Sequence, residues 1–272
     1  MRIATWNINS LRARMDRLLA LLERQEIDVI ALQEIKAKPQ QLDLSGLEAA
    51  GYEVAAHGLN QWNGVAIASR VGLADVRTEL PAVPAWPDDE DGVVEARALG
   101  AVVGGAEDGS GGLRLWSLYV PNGREIDHPH YGYKLRWLEA LRAEGARELA
   151  ADADARVLLT GDFNVAPEDD DVWSMEFFEG KTHVTEPERS AFRAVVDEGY
   201  ADLVRPDHPG PGVYTYWDYQ QLRFPKKEGM RIDFALGSPA VQTAYRASFI
   251  DREERKGKGA SDHAPVVLDL EL

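Results

Sequence analysis

The stretch Ile27-Asp28-Val29-Ile30-Ala31-Leu32-Gln33-Glu34 sets the architecture of the chain. It is a short, β-branched, apolar run broken only by Asp28, and it shows no alternation of polar and apolar positions. A strand of that kind is buried on both faces, so its sheet must be covered by other layers. The run ends abruptly in two polar residues, which delivers the Glu34 carboxylate at a strand end. Before it, residues 2–8 read as a first strand. Ser10 follows as an N-cap, and Leu11, Met15, Leu18, Leu19 and Leu22 then mark one face of a helix. Residues 63–69 and 113–120 read as further strands, the second rich in aromatic and β-branched side chains. Residues 134–150 read as a helix with Leu135, Leu138 and Leu141 on one side. Residues 156–160 form a short core strand stopping at Gly161-Asp162-Phe163-Asn164, and late strands cover 231–236 and 265–272. This alternation predicts an α/β (α+β) chain.

At 272 residues, without a repeat period, the chain reads as one domain spanning 1–272. Residues 82–92 (AVPAWPDDEDG) and 104–112 (GGAEDGSGG) combine breakers with acids and read as surface loops or hairpin ends. One faint internal echo exists: Thr5-Trp6-Asn7-Ile8-Asn9 and Thr160-Gly161-Asp162-Phe163-Asn164 both end an apolar strand in spaced polar residues.

Cysteine is absent, which excludes disulfides, thiolate zinc sites and cysteine nucleophiles. No leader and no apolar run of membrane-spanning length appears, so a soluble cytoplasmic protein without membrane contact is expected. There is no serine nucleophile elbow, and no phosphate-cradling glycine loop followed by Lys and Ser/Thr. Acidic residues outnumber basic ones, 46 to 30, for a formal charge of −16. A nucleic-acid partner would therefore need a local basic stripe, or a bound cation that adds positive charge.

Asn7, Glu34, Tyr119, Asn122, Asp162, Asn164, Asp233, Asp262 and His263 all fall at or just beyond predicted strand ends. Any one of them passes as a turn residue, because Asx and Glu collect there. Nine of them along the whole chain form a chemical inventory. Carboxylates and amide oxygens suit Mg²⁺ or Mn²⁺ and not zinc. With one histidine and neutral amide donors, the set matches metal-assisted phosphodiester hydrolysis.

Six blocks in order carry a resemblance across essentially the whole chain. They are Trp6-Asn7-Ile8-Asn9-Ser10-Leu11-Arg12, Leu32-Gln33-Glu34-Ile35-Lys36, Tyr119-Val120-Pro121-Asn122-Gly123, Gly161-Asp162-Phe163-Asn164, Arg231-Ile232-Asp233 and Ser261-Asp262-His263-Ala264-Pro265. The chain resembles the exonuclease III-type abasic-site endonucleases of the endonuclease/exonuclease/phosphatase superfamily. That resemblance implies a four-layer α/β sandwich, with two mostly antiparallel sheets face to face, helices outside, and the site at one sheet edge. It implies an Mg²⁺-dependent exodeoxyribonuclease III, with Mn²⁺ able to substitute and no small-molecule cofactor. Such an enzyme cuts double-stranded DNA 5′ of abasic sites, leaves a 3′-hydroxyl and degrades 3′ ends; a monomer is expected. Glu34 would be the principal metal ligand, with Asn7, Asn9, Asp162, Asn164, Asp262 and His263 candidates around the ion. Asp162 would activate water, Asp233 would orient His263, and Asn122 and Asn164 would donate to phosphate or water. Tyr119 would stand beside the scissile group.

The segment Val213-Tyr214-Thr215-Tyr216-Trp217-Asp218-Tyr219, followed by Arg223, Lys226 and Lys227, interleaves aromatics with cations and suits DNA. By resemblance Tyr216, Trp217 and Met230 line the pocket for a base-free deoxyribose. Met230 departs from the tryptophan usual before Arg-Ile-Asp, which leaves open the balance between abasic cleavage and exonuclease action. Arg124, Lys134, Arg223, Lys226, Lys227, Arg252, Arg255, Lys256 and Lys258 are candidate backbone contacts. His57, His128, His130, His183 and His208 read as surface or loop residues, and Glu95-Ala96-Arg97 receives no role. The rivals are a phosphodiesterase or phosphatase of the same superfamily acting on phospholipid headgroups or inositol phosphates, and a non-catalytic DNA-binding module.

Overall fold

The computed structural model describes residues 1–87, 91–106 and 111–272. Among these described residues, twelve strands form two six-stranded sheets. In chain order they are β1 (Arg2–Asn7), β2 (Val29–Gln33), β3 (Glu53–His57), β4 (Val65–Ser69), β5 (Leu73–Arg77), β6 (Ala98–Val103), β7 (Leu113–Tyr119), β8 (Val157–Asp162), β9 (Ala201–Asp202), β10 (Asp233–Gly237), β11 (Tyr245–Ile250) and β12 (Val266–Leu270). The first sheet runs β11-β12-β1-β2-β4-β3 and the second β5-β6-β7-β8-β10-β9. Each is antiparallel except for one central parallel pair, β1 with β2 and β7 with β8.

The side-chain period of two splits each strand between two cores. Ile3, Val29, Ala31, Ile67, Leu115 and Leu158 meet between the sheets. Ala4, Trp6, Ile30 and Leu32 face outward onto the helix Leu11–Arg24. On the far side Trp116, Leu159, Phe163 and Phe234 pack against the helices Pro129–Ala151 and Glu186–Asp197. These are the four layers the resemblance implies. No helix among the described residues is long and apolar enough to cross a membrane.

Three departures from the sequence reading have physical causes. β3, β5, β9 and β11 are not evident in the sequence because edge strands bury less of their surface and carry a weak pattern; the inner β6 goes unread because its Ala98, Gly100 and Ala101 are weak strand formers. Ser10 stands at the helix N-cap position but makes no side-chain cap bond; its backbone is turned to φ 91. The long helix begins at Pro129, five residues before the predicted start, because proline suits the first helical turn and His128 accepts the His130 N–H there. Of the two stretches expected as loops, 88–90 and 107–110 lie outside the described residues. Around the first, Trp86 and Val93 form an antiparallel bridge.

Candidate active site

Strand direction explains why distant residues meet. β1, β2, β7 and β8 end at the edge where the antiparallel β10 and β12 begin. Asn7, Glu34, Tyr119 and Asp162 come from those ends, and Asp233, Asp262 and His263 from those beginnings. Gly161 makes the turn of Asp162 possible: its φ is +138, and a Cβ there would stand 1.9 Å from the Leu118 carbonyl oxygen. Asn9, Glu34 and Asn164 hold left-handed backbones with φ of 47, 52 and 50. Such strain persists where the surroundings over-determine it, commonly at functional sites.

The two sheets join through Asn7. Its Nδ2 donates to Glu34 Oε1 at 2.8 Å and to Asp162 Oδ2 at 3.0 Å. Ligand atoms of Glu34, Asp162 and His263 lie within 4.8 Å of one another. Lys36 Nζ stands 2.7 Å from Glu34 Oε2, so a cation already answers this negative charge. His263 Nδ1 is 2.8 Å from Asp233 Oδ2, and its Nε2 faces Asp162 Oδ2 at 3.8 Å. Asn9 Nδ2 donates to Asp262 Oδ1 at 2.9 Å on the rim. Glu34, Tyr119, Asn122, Asp162, Asn164, Asp262 and His263 line a common cavity with His183, Tyr216, Met230 and Ile232.

Burial sets the electrostatics. It pushes Asp162 up to about 7, with Asp233 and Glu34 adding to the effect and His263 pulling back. Burial would discharge His263, but the charge and hydrogen bond of Asp233 outweigh it and carry the imidazole up to about 10. Burial also works against the Glu34 carboxylate. The Lys36 charge and the Lys36 and Asn7 hydrogen bonds prevail, and its pKa is lowered. The Tyr119 phenol is pushed well above its usual range by burial and by Glu34, against the pull of Arg97.

Several sequence expectations change. Lys134 cannot touch DNA: it is fully buried, ion-paired with the equally buried Glu188, and donates to the Asn164 carbonyl at 2.6 Å and the Asn122 carbonyl at 3.3 Å. Trp217 does not line the cavity. It is 1% exposed and packs edge-on against Phe224. Arg223 is ion-paired with Glu228 and lies over Trp173 and Phe177. Arg252 and Arg255 likewise lie over Phe224, and Arg255 donates to the Trp217 carbonyl at 2.9 Å. Lys256 pairs with Glu253 at 2.6 Å. Arg124, Lys226, Lys227 and Lys258 are exposed as expected of backbone contacts.

Asn164 is engaged on both amide atoms. Nδ2 donates to the Val120 carbonyl at 2.9 Å, and Oδ1 accepts from Asn122 at 3.1 Å with His183 Nε2 also at 3.1 Å. Its oxygen is thereby turned from the carboxylate cluster, against the expected ligand role.

The structure adds residues that the sequence does not single out. His183 is buried beside both amides, and its pKa falls to about 4 through burial and Lys134. His130 is also buried; its Nδ1 accepts the Gly123 N–H at 3.1 Å and so fixes the loop carrying Asn122. Arg97 lies 4.7 Å from the Tyr119 ring centre and is held by Glu95 at 2.7 Å. Trp173 and Phe177 form the aromatic wall where Trp217 was expected. No local signal marks His183, because its burial depends on partners far away in sequence.

The Endonuclease/Exonuclease/phosphatase family model matches residues 4–263. The chain is 29% identical over 278 residues to "Exodeoxyribonuclease III" of Haemophilus influenzae, covering 98% of each chain. A 3′ phosphatase from Neisseria bound to product DNA hairpin superposes with a TM-score of 0.90 at 34% identity, both chains covered in full. An AP endonuclease from Archaeoglobus fulgidus gives a TM-score of 0.88 at 30% identity, again with full coverage. With the family pattern spanning both sheets and every strand end that feeds the cavity, the chain belongs to the endonuclease/exonuclease/phosphatase family.

Proposed function

We propose that the protein is a Mg²⁺-dependent DNA repair phosphodiesterase that acts at 3′ ends and 5′ of abasic sites. The observation that carries this reading is the joint cavity in which Glu34, Asp162 and the His263–Asp233 pair face amide donors and two tyrosines, Tyr119 and Tyr216. Its relatives, a 3′ phosphatase bound to a DNA hairpin among them, favour DNA over lipid or inositol phosphates.

A divalent cation fits this donor set. Glu34 and Asp162 offer hard oxygens at short range, with Asn7 and Asp262 beside them. Such an ion would supply positive charge against the phosphoryl oxygens. In this reading His263 serves as a donor and not as a ligand, its Nδ1 held by Asp233 at 2.8 Å. Its Nε2–H instead donates to a phosphate oxygen and stabilises charge as it builds. Asp162, poised near neutrality, accepts the proton of the attacking water. Asn7 fixes this base by donating to Asp162 Oδ2. Asn122, at the rim, offers its remaining N–H to the phosphate, and Tyr119 presents a neutral phenol.

The test uses purified protein with two labelled duplexes, one bearing an internal tetrahydrofuran and one a recessed 3′ end, with Mg²⁺ or EDTA. Metal-dependent cleavage of either supports the reading, and the ratio measures the balance of activities. Silence on both removes it.

A further inference from the structure

A second cavity, of about 190 Å³, lies against the catalytic one. Tyr216 and Met230 line both, so the two share a wall at these side chains. Three backbone bridges clamp that boundary: Tyr216 pairs with Met230 and with His263, and Met230 also pairs with Val172. Beyond the boundary the walls are aromatic. Trp173 and Phe177 stand with ring centres 4.9 Å apart, and Arg223 lies over both, 5.0 and 4.6 Å from their centres. Amide groups of Gln220 and Gln221 edge the opening. Gln221 and Leu222 there hold consecutive left-handed backbones, with φ of 56 and 55.

A base-free sugar has no π face and gains nothing from such walls. A nucleobase does: stacking on aromatic and guanidinium planes is how unpaired bases are gripped, whatever their identity. The volume is below the roughly 300 Å³ of a whole-ligand pocket and suits a single flat ring system. At a 3′ end, the nucleotide beyond the scissile phosphate carries a base that is cheap to unstack.

We infer that the Trp173–Phe177–Arg223 chamber receives the unstacked nucleobase of the 3′-terminal nucleotide while its phosphate occupies the catalytic cavity. This rests on the nuclease reading and adds to it a selection for base-bearing ends. Met230 is part of the shared wall, and its flexible, unbranched thioether can yield to a base where a wider ring would fill the space.

The experiment compares kcat/KM on two recessed duplexes identical except for the 3′-terminal residue, an ordinary nucleotide or a tetrahydrofuran. Trp173→Ala and Phe177→Leu are assayed beside the unaltered protein; Phe177 is already 36% exposed, so its replacement leaves the core intact. The expected result is a preference for the base-bearing end that falls about 10-fold or more in each variant, chiefly through KM. Met230→Trp should lower the same ratio. Equal losses on both ends, or no change in the ratio, overturn the chamber while leaving the nuclease reading in place. If the unaltered protein cleaves neither end, the chamber falls, while the nuclease reading still stands or falls with the internal tetrahydrofuran duplex.

Discussion

The catalytic cavity and the chamber beside it have unlike walls. One is made of strand ends: Asn7, Glu34, Asp162, Asp233 and His263, tied to one another by hydrogen bonds and backed by continuous ladders. The other is made of loops and single helical turns: Trp173, Phe177, Gln220 to Arg223, and Met230, held by aromatic contacts, two ion-paired residues and a few isolated bridges. The first wall gives precise placement of groups that move protons and bind charge. The second gives adaptable surface for whatever the phosphate is attached to. Placing reactive groups on rigid elements and selection on loops separates chemistry from choice.

That separation is open to experiment. Asp162→Asn on the rigid wall should cost about 10²–10⁴-fold in kcat, while DNA affinity measured in EDTA changes little. A matching loss of affinity would mean that chemistry and binding share one wall. Asp233→Asn should rank next. His263 is held up to about 10 by Asp233, so it stays charged across neutral pH and loses its proton only as pH rises through that value. Without Asp233 its pKa falls, and the alkaline limb of the pH–rate profile should move to lower pH; an unmoved limb would detach His263 from the rate.

Lys134 probes the same divide from behind. Lys134→Met strands the buried Glu188 carboxylate and should cost about 3–5 kcal/mol of stability in a thermal melt. Lys134→Met with Glu188→Leu removes both charges and should recover most of the melting temperature. The rate should stay depressed, because the Asn122 and Asn164 carbonyls lose the ammonium that holds both loops. Full recovery of rate would make the pair structural only. The smallest effect belongs to the exposed loop cations. Lys226→Ala with Lys227→Ala should reduce the slope of log Kd against log salt by about 2, one for each phosphate no longer neutralised. No change in slope would move the DNA to another face.

The walls also differ in how well the sequence reveals them. A polar residue at the end or start of an apolar strand is a local pattern, which is why Glu34, Asp162 and Asp233 can be read directly. Lys134 escapes such a reading because an isolated helical lysine is usually solvated. Its burial depends on Glu188, more than fifty residues later. His183 resembles a loop residue for the same reason; the amides that enclose it come from the ends of two other strands. Trp217 turns into the core instead of the pocket because an aromatic-rich segment does not say which ring faces inward. Periodicity answers that question in regular strands, and this segment is irregular.

The bonds of Asn7 to Glu34 in its own sheet and to Asp162 in the other have a consequence for the life of the chain. During synthesis the first sheet's carboxylate emerges long before its counterpart, and the imidazole belongs to the block next to the final strand. A half-made polypeptide therefore holds an incomplete set of reactive groups and cannot attack a phosphodiester. Hydrolytic competence arrives together with closure of the sandwich, so an enzyme dangerous to its own substrate becomes active only once its architecture has been completed.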